Sequence, residues 1–257
     1  MPRPTQAFID LSALAHNLGV VRQYVPRSRI MAVVKADAYG HGLLHTASAL
    51  KDVDGFALLE LDAAISLRDA GYQQPILLLE GFFSTEELAL FEQYRLSAVI
   101  HHSEQIAMLS DSKHHNLDLF LKINTGMNRL GLAPEQFPQI MKALTDHPGI
   151  DSITLMTHFA SADDPLEEDE VFQQLQYFEA ITQNHKYPHS LANSAAIIRY
   201  PVTHADWVRP GIMLYGASPF ADKTASELNL KPVMTLSSKI IAIHDLKIGD
   251  RVGYHGL

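Results

Sequence analysis

Short continuous apolar runs alternate with longer amphipathic stretches along most of the chain, and the alternation predicts strand-then-helix units. The runs at 30–34, 55–59, 76–79, 97–100, 117–123, 150–157, 188–192 and 207–214 are apolar and short, so they are predicted as buried strands. Between them, 86–94, 134–146 and 167–185 are amphipathic and predicted as helices. The last of these opens with acidic residues, which suit the positive end of a helix dipole. At the front, 7–10 reads as a short extended piece. Asp10 or Ser12 can cap a helix over 13–24, with Leu11, Leu14, Leu18 and Val21 at helical spacing, and Pro26 ends it.

Eight apolar strands, each followed by a helix, is the count of a closed α/β barrel of the (β/α)8 TIM-like kind. A doubly wound open sheet would want a glycine-rich first turn, and no G-x-G-x-x-G occurs. The barrel is assigned to residues 1–230. From about 232 the pattern changes to a β-branched stretch holding Val233, Leu236, Ile240, Ile241 and Ile243. A Lys-Ile-Gly-Asp turn and Arg-Val-Gly-Tyr at 251–254 follow. Residues 231–257 therefore read as the beginning of a C-terminal β domain. The chain as given stops at Leu257 with that domain almost unbuilt.

Composition narrows the classes of function. With 257 residues, 47% of them hydrophobic, the chain can bury a large core. It has no Cys, which excludes disulfides, thiolate catalysis and Cys-based metal centres. A formal net charge of -9 without any lysine or arginine run argues against a nucleic-acid partner. The N-terminus lacks an apolar signal core and no membrane-spanning apolar run occurs, so the expected location is the cytoplasm, without membrane contact. His101-His102 and His114-His115 lack metal-ligand spacing and no H-E-x-x-H is present, so no metal site is expected.

Candidate chemistry gathers at the predicted strand ends. The apolar run at 30–34 breaks at Lys35 and passes into a small glycine-containing turn. A desolvated amine there would be pushed towards the neutral, nucleophilic form that Schiff-base catalysis needs; equally, Lys35 can simply end a strand, paired with Asp37. After the seventh and eighth strands, Asn193-Ser194 and Gly211-Ile212 offer backbone N–H groups and one hydroxyl to a phosphate. They also read as a helix cap and a turn. Arg209, in an apolar run, needs a partner, and a carboxylate such as Asp206 would serve. His158, at the end of the sixth strand, reads as a buried, hydrogen-bonded histidine. Tyr254 reads as a strand tyrosine used in packing.

Four stretches together resemble the alanine racemases. They are Val-Val-Lys-Ala-Asp-Ala-Tyr-Gly-His-Gly at 33–42, Lys-Ile-Asn-Thr-Gly-Met-Asn-Arg-Leu-Gly at 122–131, Ala-Asn-Ser-Ala-Ala at 192–196 and Val-Arg-Pro-Gly-Ile-Met-Leu-Tyr-Gly at 208–216. The resemblance runs over nearly the whole chain. It implies pyridoxal 5'-phosphate as cofactor, attached at Lys35. Tyr39, Ser194, with Asn193 beside it, Gly211 and Ile212 would surround its phosphate, Arg209 would face the pyridine nitrogen, and His158 would support Arg209. Arg129 would contact the cofactor's phenolic oxygen and the substrate carboxylate. Lys122 matches a lysine that is often carbamylated and braces that arginine. Tyr254 would be the second base, acting in the partner subunit of a homodimer. The implied activity is interconversion of L- and D-alanine, supplying D-alanine for peptidoglycan. A cofactor-binding barrel without turnover, or a racemase of another small amino acid such as serine, are the alternatives.

Overall fold

The computed structural model describes residues 3–110 and 116–256; His114 and His115 lie outside the described residues. In chain order its regular elements begin with β1 (Gln6–Ile9), α1 (Leu11–Tyr24), β2 (Arg29–Val33), α2 (Lys35–Gly40), α3 (Leu43–Ala49), β3 (Gly55–Leu58) and α4 (Leu61–Asp69). They continue with β4 (Ile76–Leu78), α5 (Glu87–Gln93), β5 (Ser97–Ile100), α6 (Ser103–Ser110), β6 (Leu117–Lys122), α7 (Phe137–Thr145) and β7 (Ile150–Met156). The last are α8 (Glu168–Thr182), β8 (His189–Ser190), α9 (Ser194–Arg199), β9 (Trp207–Val208) and β10 (Met234–Ser237).

Strands β2 to β9 close in sequence order into a parallel barrel, β2 pairing with β9 at the seam. Alternation along each strand sorts the side chains into two layers. Met31, Val33, Ala57, Leu77, Val99, Phe120, Met156 and Trp207 fill the barrel, while their neighbours pack outward against the helices in the larger core. The strand-and-helix pattern is thus the fold the alternation predicts.

Two elements depart from it. The eighth strand was expected over 207–214, but β9 stops at Val208. Pro210 has no N–H for the ladder, its carbonyl instead accepts from Val33 N–H at 3.0 Å, and the chain turns into a 3-10 helix, Ile212–Tyr215. Among the described residues after 230 the only regular strand is β10, and it pairs antiparallel with β1 rather than with a neighbour downstream. The expected 7–10 piece is therefore drawn away from the barrel into a two-stranded sheet.

Asp10 caps α1, its carboxylate accepting from the N–H groups of Ser12 and Ala13. Inside that helix Asn17 is fully buried. Its amide donates to the carbonyls of Leu214 (3.0 Å) and Lys231 (2.8 Å), and its oxygen accepts from Lys231 N–H (2.8 Å). One side chain thus ties α1 to the chain leaving the barrel. Asn17→Leu strands those buried groups and is expected to cost about 2–3 kcal/mol, read as a lower urea midpoint at unchanged m-value.

Candidate active site

Lys35 stands just past β2, half-buried on the wall of a cavity of about 660 Å3 at the C-terminal end of the barrel. The four residues after it form a left-handed turn: Ala36, Asp37, Ala38 and Tyr39 have φ of 52, 51, 54 and 55°. Such backbone costs on the order of 1–2 kcal/mol for each residue bearing a Cβ. The turn is held by Ala38 N–H to Val34 O (3.0 Å), Gly42 N–H to Asp37 O (3.0 Å) and the burial of Ala38. Asp37 spends its carboxylate on Leu43 N–H (2.7 Å), capping α3, so it does not pair with Lys35.

The turn lays Tyr39 over Gly211, on the loop after the neighbouring strand β9. A Cβ at Gly211 would lie 2.7 Å from the Tyr39 hydroxyl, so only glycine admits this approach. The Tyr39 ring rests on Tyr215, centroids 4.7 Å apart, and Tyr215 donates to Val33 O (3.0 Å). Opposite, Asn193 Oδ1 accepts from Ala196 N–H at 3.0 Å, the expected helix cap. Ser194 Oγ accepts from Gly211 N–H (2.9 Å), drawing the loops after β8 and β9 together. Tyr39, Asn193, Ser194, Gly211 and Ile212 all line the cavity.

Arg209, 4% exposed, has no carboxylate within ion-pair distance among the described residues. Asp206 is occupied elsewhere, accepting from His189 N–H at 2.7 Å. The guanidinium instead donates to Ser190 Oγ (2.6 Å), Thr157 O (2.6 Å) and Leu191 O (3.2 Å), with His158 Nδ1 at 3.3 Å. Burial lowers Arg209 to about 10, which leaves it charged at neutral pH. Burial, then the neighbouring Arg209, holds His158 well below the usual imidazole range, so the ring is neutral and Nδ1 can accept.

The desolvated amine of the cavity is Lys122. It is 7% exposed, and burial, reinforced by Arg209 and Arg129, pushes it down to about 8. Lys35, Lys122, Arg129 and Arg209 share the cavity lining with the carboxylates Glu80 and Asp163. The balance is a formal excess of positive charge, in a chain whose own net charge is -9. Such a lining gives the mouth a positive local potential.

Sequence reasoning missed the supports. Gln174, buried on α8, donates to Thr125 Oγ1 (3.2 Å) and His158 O (3.3 Å) and accepts from Ala160 N–H (3.0 Å). Thr125 and Thr157 hydroxyls meet at 2.7 Å, and Thr157 donates to Ile123 O (3.0 Å). This chain fixes the loop bearing Arg129 against the strand end bearing His158. Asn124 and Asn128 cross-link that loop at 2.9 and 3.0 Å. Tyr254 is not brought to the cavity of its own chain. It lies in a 3-10 turn, Tyr254–Gly256, 95% exposed.

Residues 9–219 match the family described as "Alanine racemase, N-terminal domain". An alanine racemase of Nitrosospira multiformis is 58% identical over 99% of this chain and 71% of its own length. One from Nitrosomonas europaea is 61% identical over 100% of this chain and 72% of its own. The crystal structure of the biosynthetic alanine racemase from Pseudomonas aeruginosa superposes with a TM-score of 0.94 at 41% identity, covering 99% of this chain and 72% of that one. The present chain therefore spans about seven-tenths of the relatives it matches, and it belongs to the alanine racemase family of isomerases.

Proposed function

We propose that the barrel mouth binds pyridoxal 5'-phosphate and that the protein racemises alanine by a two-base mechanism. One observation carries this reading: a strand-end amine, the joined loops of Ser194 and Gly211, and a buried arginine that has no carboxylate partner among the described residues share one cavity. These residues fit the cofactor. The phosphate would be held by Tyr39, Ser194 and the N–H groups of Gly211 and Ile212, with Asn193 setting the start of α9. Arg209 would face the ring nitrogen, and Arg129 the phenolic oxygen and the substrate carboxylate.

When bound, pyridoxal phosphate supplies a carbonyl for a primary amine and a conjugated ring that takes up the electron pair left by a departing α-proton. The chain's own residues decide the rest. An arginine hardly gives up a proton, so Arg209 would hydrogen-bond the ring nitrogen without protonating it and keep the electron sink weak. Neutral His158 accepts from Arg209 and keeps the guanidinium aimed. Lys35 would move the α-proton on one face of the substrate. Racemisation needs a second group on the other face, because a single-faced site mainly returns the proton to where it was. Tyr254, free on the surface of its own chain, would fill that place in the partner of a homodimer. Residues 231–257 would then open the domain that brings the two subunits together. In this reading the enzyme works in the cytoplasm and supplies D-alanine for peptidoglycan. Among the described residues no helix is long and apolar enough to cross a membrane.

Lys122 would be carbamylated. Unmodified, it adds a cation beside Arg129 and Arg209. Its nitrogen would attack the carbon of CO2, releasing a proton to solvent, and the resulting carbamate would place a negative charge against those arginines.

Three measurements check this account. Added pyridoxal phosphate is expected to give a visible absorption band that Lys35→Ala lacks, together with D-alanine in a coupled assay. No band in the wild type sinks the reading, and a band without D-alanine leaves a cofactor-binding barrel without turnover. Mixing inactive Lys35→Ala chains with inactive Tyr254→Phe chains is expected to restore roughly a quarter of wild-type activity, because one site in each mixed dimer is intact. If the mixture stays inactive, Tyr254 does not act across an interface. Finally, bicarbonate is expected to add the mass of one CO2 to the native protein, an adduct absent from Lys122→Arg. The neutral amine is the nucleophile and burial makes it predominate above about 8 instead of 10.5, so uptake should rise as pH passes through about 8.

A further inference from the structure

The barrel has a second opening, at the N-terminal ends of its strands. Barrels of this kind are ordinarily filled there by a layer of bulky side chains. Here the inward positions are small or polar, among them Pro75, Ser97, Asp118, Ser152 and Thr154, and a cavity of about 600 Å3 remains. Ser97 and Thr154 are only 3% and 6% exposed, yet among the described residues neither hydroxyl has a hydrogen-bond partner in the protein. Both residues line the space, so their hydroxyls are available to a polar group placed there.

Charges at the rim are also uncommitted. Arg29 lies over Trp207, its guanidinium carbon 4.1 Å from the ring centroid. Among the described residues its guanidinium N–H groups have no acceptor and no carboxylate. Among the described residues, Asp118 is bonded by Ser152 through one carboxylate oxygen only, and Asp151, also lining the cavity, has no partner. A planar cation and two carboxylates thus flank a space whose other walls include Phe120, Leu144 and Ile153. We propose that this end of the barrel binds a free amino acid with an apolar side chain. Its carboxylate would lie on Arg29, its ammonium on Asp118 and Asp151, and its side chain against the apolar walls. Arginine suits the carboxylate because its fork of donors accepts it in bidentate fashion. The cavity volume lies within the range of small-molecule pockets.

Trp207 is the only tryptophan of the chain, so its fluorescence reports on this cavity alone. The probe is L-leucine, titrated into the full 257-residue chain with and without pyridoxal phosphate. A saturable change of the same size in both is expected. Leucinamide, lacking the carboxylate, and isocaproate, lacking the ammonium, should each bind about tenfold more weakly or worse. Arg29→Met and Asp118→Asn should weaken L-leucine to a similar degree. Should one variant fail to fold by circular dichroism, the other and the two half-ligands on the wild type decide the matter. A linear or absent response, equal binding of L-leucine and leucinamide, or a response that needs the cofactor overturns the proposal.

Discussion

The barrel mouth depends on a buried guanidinium that has only neutral acceptors. Arg209 reaches β8 through Ser190 and Leu191, and the end of β7 through Thr157 and His158. A carboxylate in its place would neutralise the charge and leave the cavity without an electrostatic purpose. With carbonyls and hydroxyls instead, the charge is solvated but not cancelled, and Lys122 and His158 both respond by losing basicity. Arg209 thus adds an uncancelled charge to the positive excess of the cavity lining.

The left-handed turn after Lys35 answers to the same geometry. A right-handed continuation from β2 would be cheaper locally, and strain of this kind persists only where surroundings over-determine it. Here the constraint is Tyr39, which reaches a glycine on the adjacent loop after β9 while its ring is braced on Tyr215. The strain sits between the candidate catalytic amine and a candidate phosphate ligand, where a small shift in either would misplace the other.

Much of the fold is legible because most barrel strands, such as β3, β4 and β5, are buried on both faces and read as short apolar runs. The 97–100 strand and the body of α1 match their expected limits closely, since packing and capping act on local signals such as Asp10. The eighth strand was overdrawn because Ile212, Met213 and Leu214 continue the apolar pattern through Pro210, although the backbone has already left the ladder. At the mouth, the charged residues stood out against apolar flanks. Gln174 did not: a glutamine on an acidic, amphipathic helix looks solvated until the fold buries it against two loops. Asp37 misled for a related reason, since adjacency in sequence suggested an ion pair that the left-handed backbone turns into a helix cap. The strongly desolvated amine was expected at Lys35 and is found at Lys122, because a strand's last inward residue is deeper than the first residue of the turn beyond it.

The two sides of the proposed chemistry differ in how they are built. Lys35 and its anion turn are fixed by barrel strands, a helix cap and a buried core, so their geometry is complete in one chain. Beyond β10 the chain is otherwise: Ile240, Ile241, Ile243 and Ile248 are all exposed, and a two-stranded sheet is marginally stable by itself in water. Covering an isoleucine contributes roughly 1.5–3 kcal/mol, so those four residues hold a substantial stabilisation in reserve. Tyr254 follows directly after them, and its position is set by whatever packing realises that energy. On the proposed mechanism the Lys35 face would be a property of the barrel and the opposite face a property of assembly, so that cofactor binding and turnover would be separable quantities.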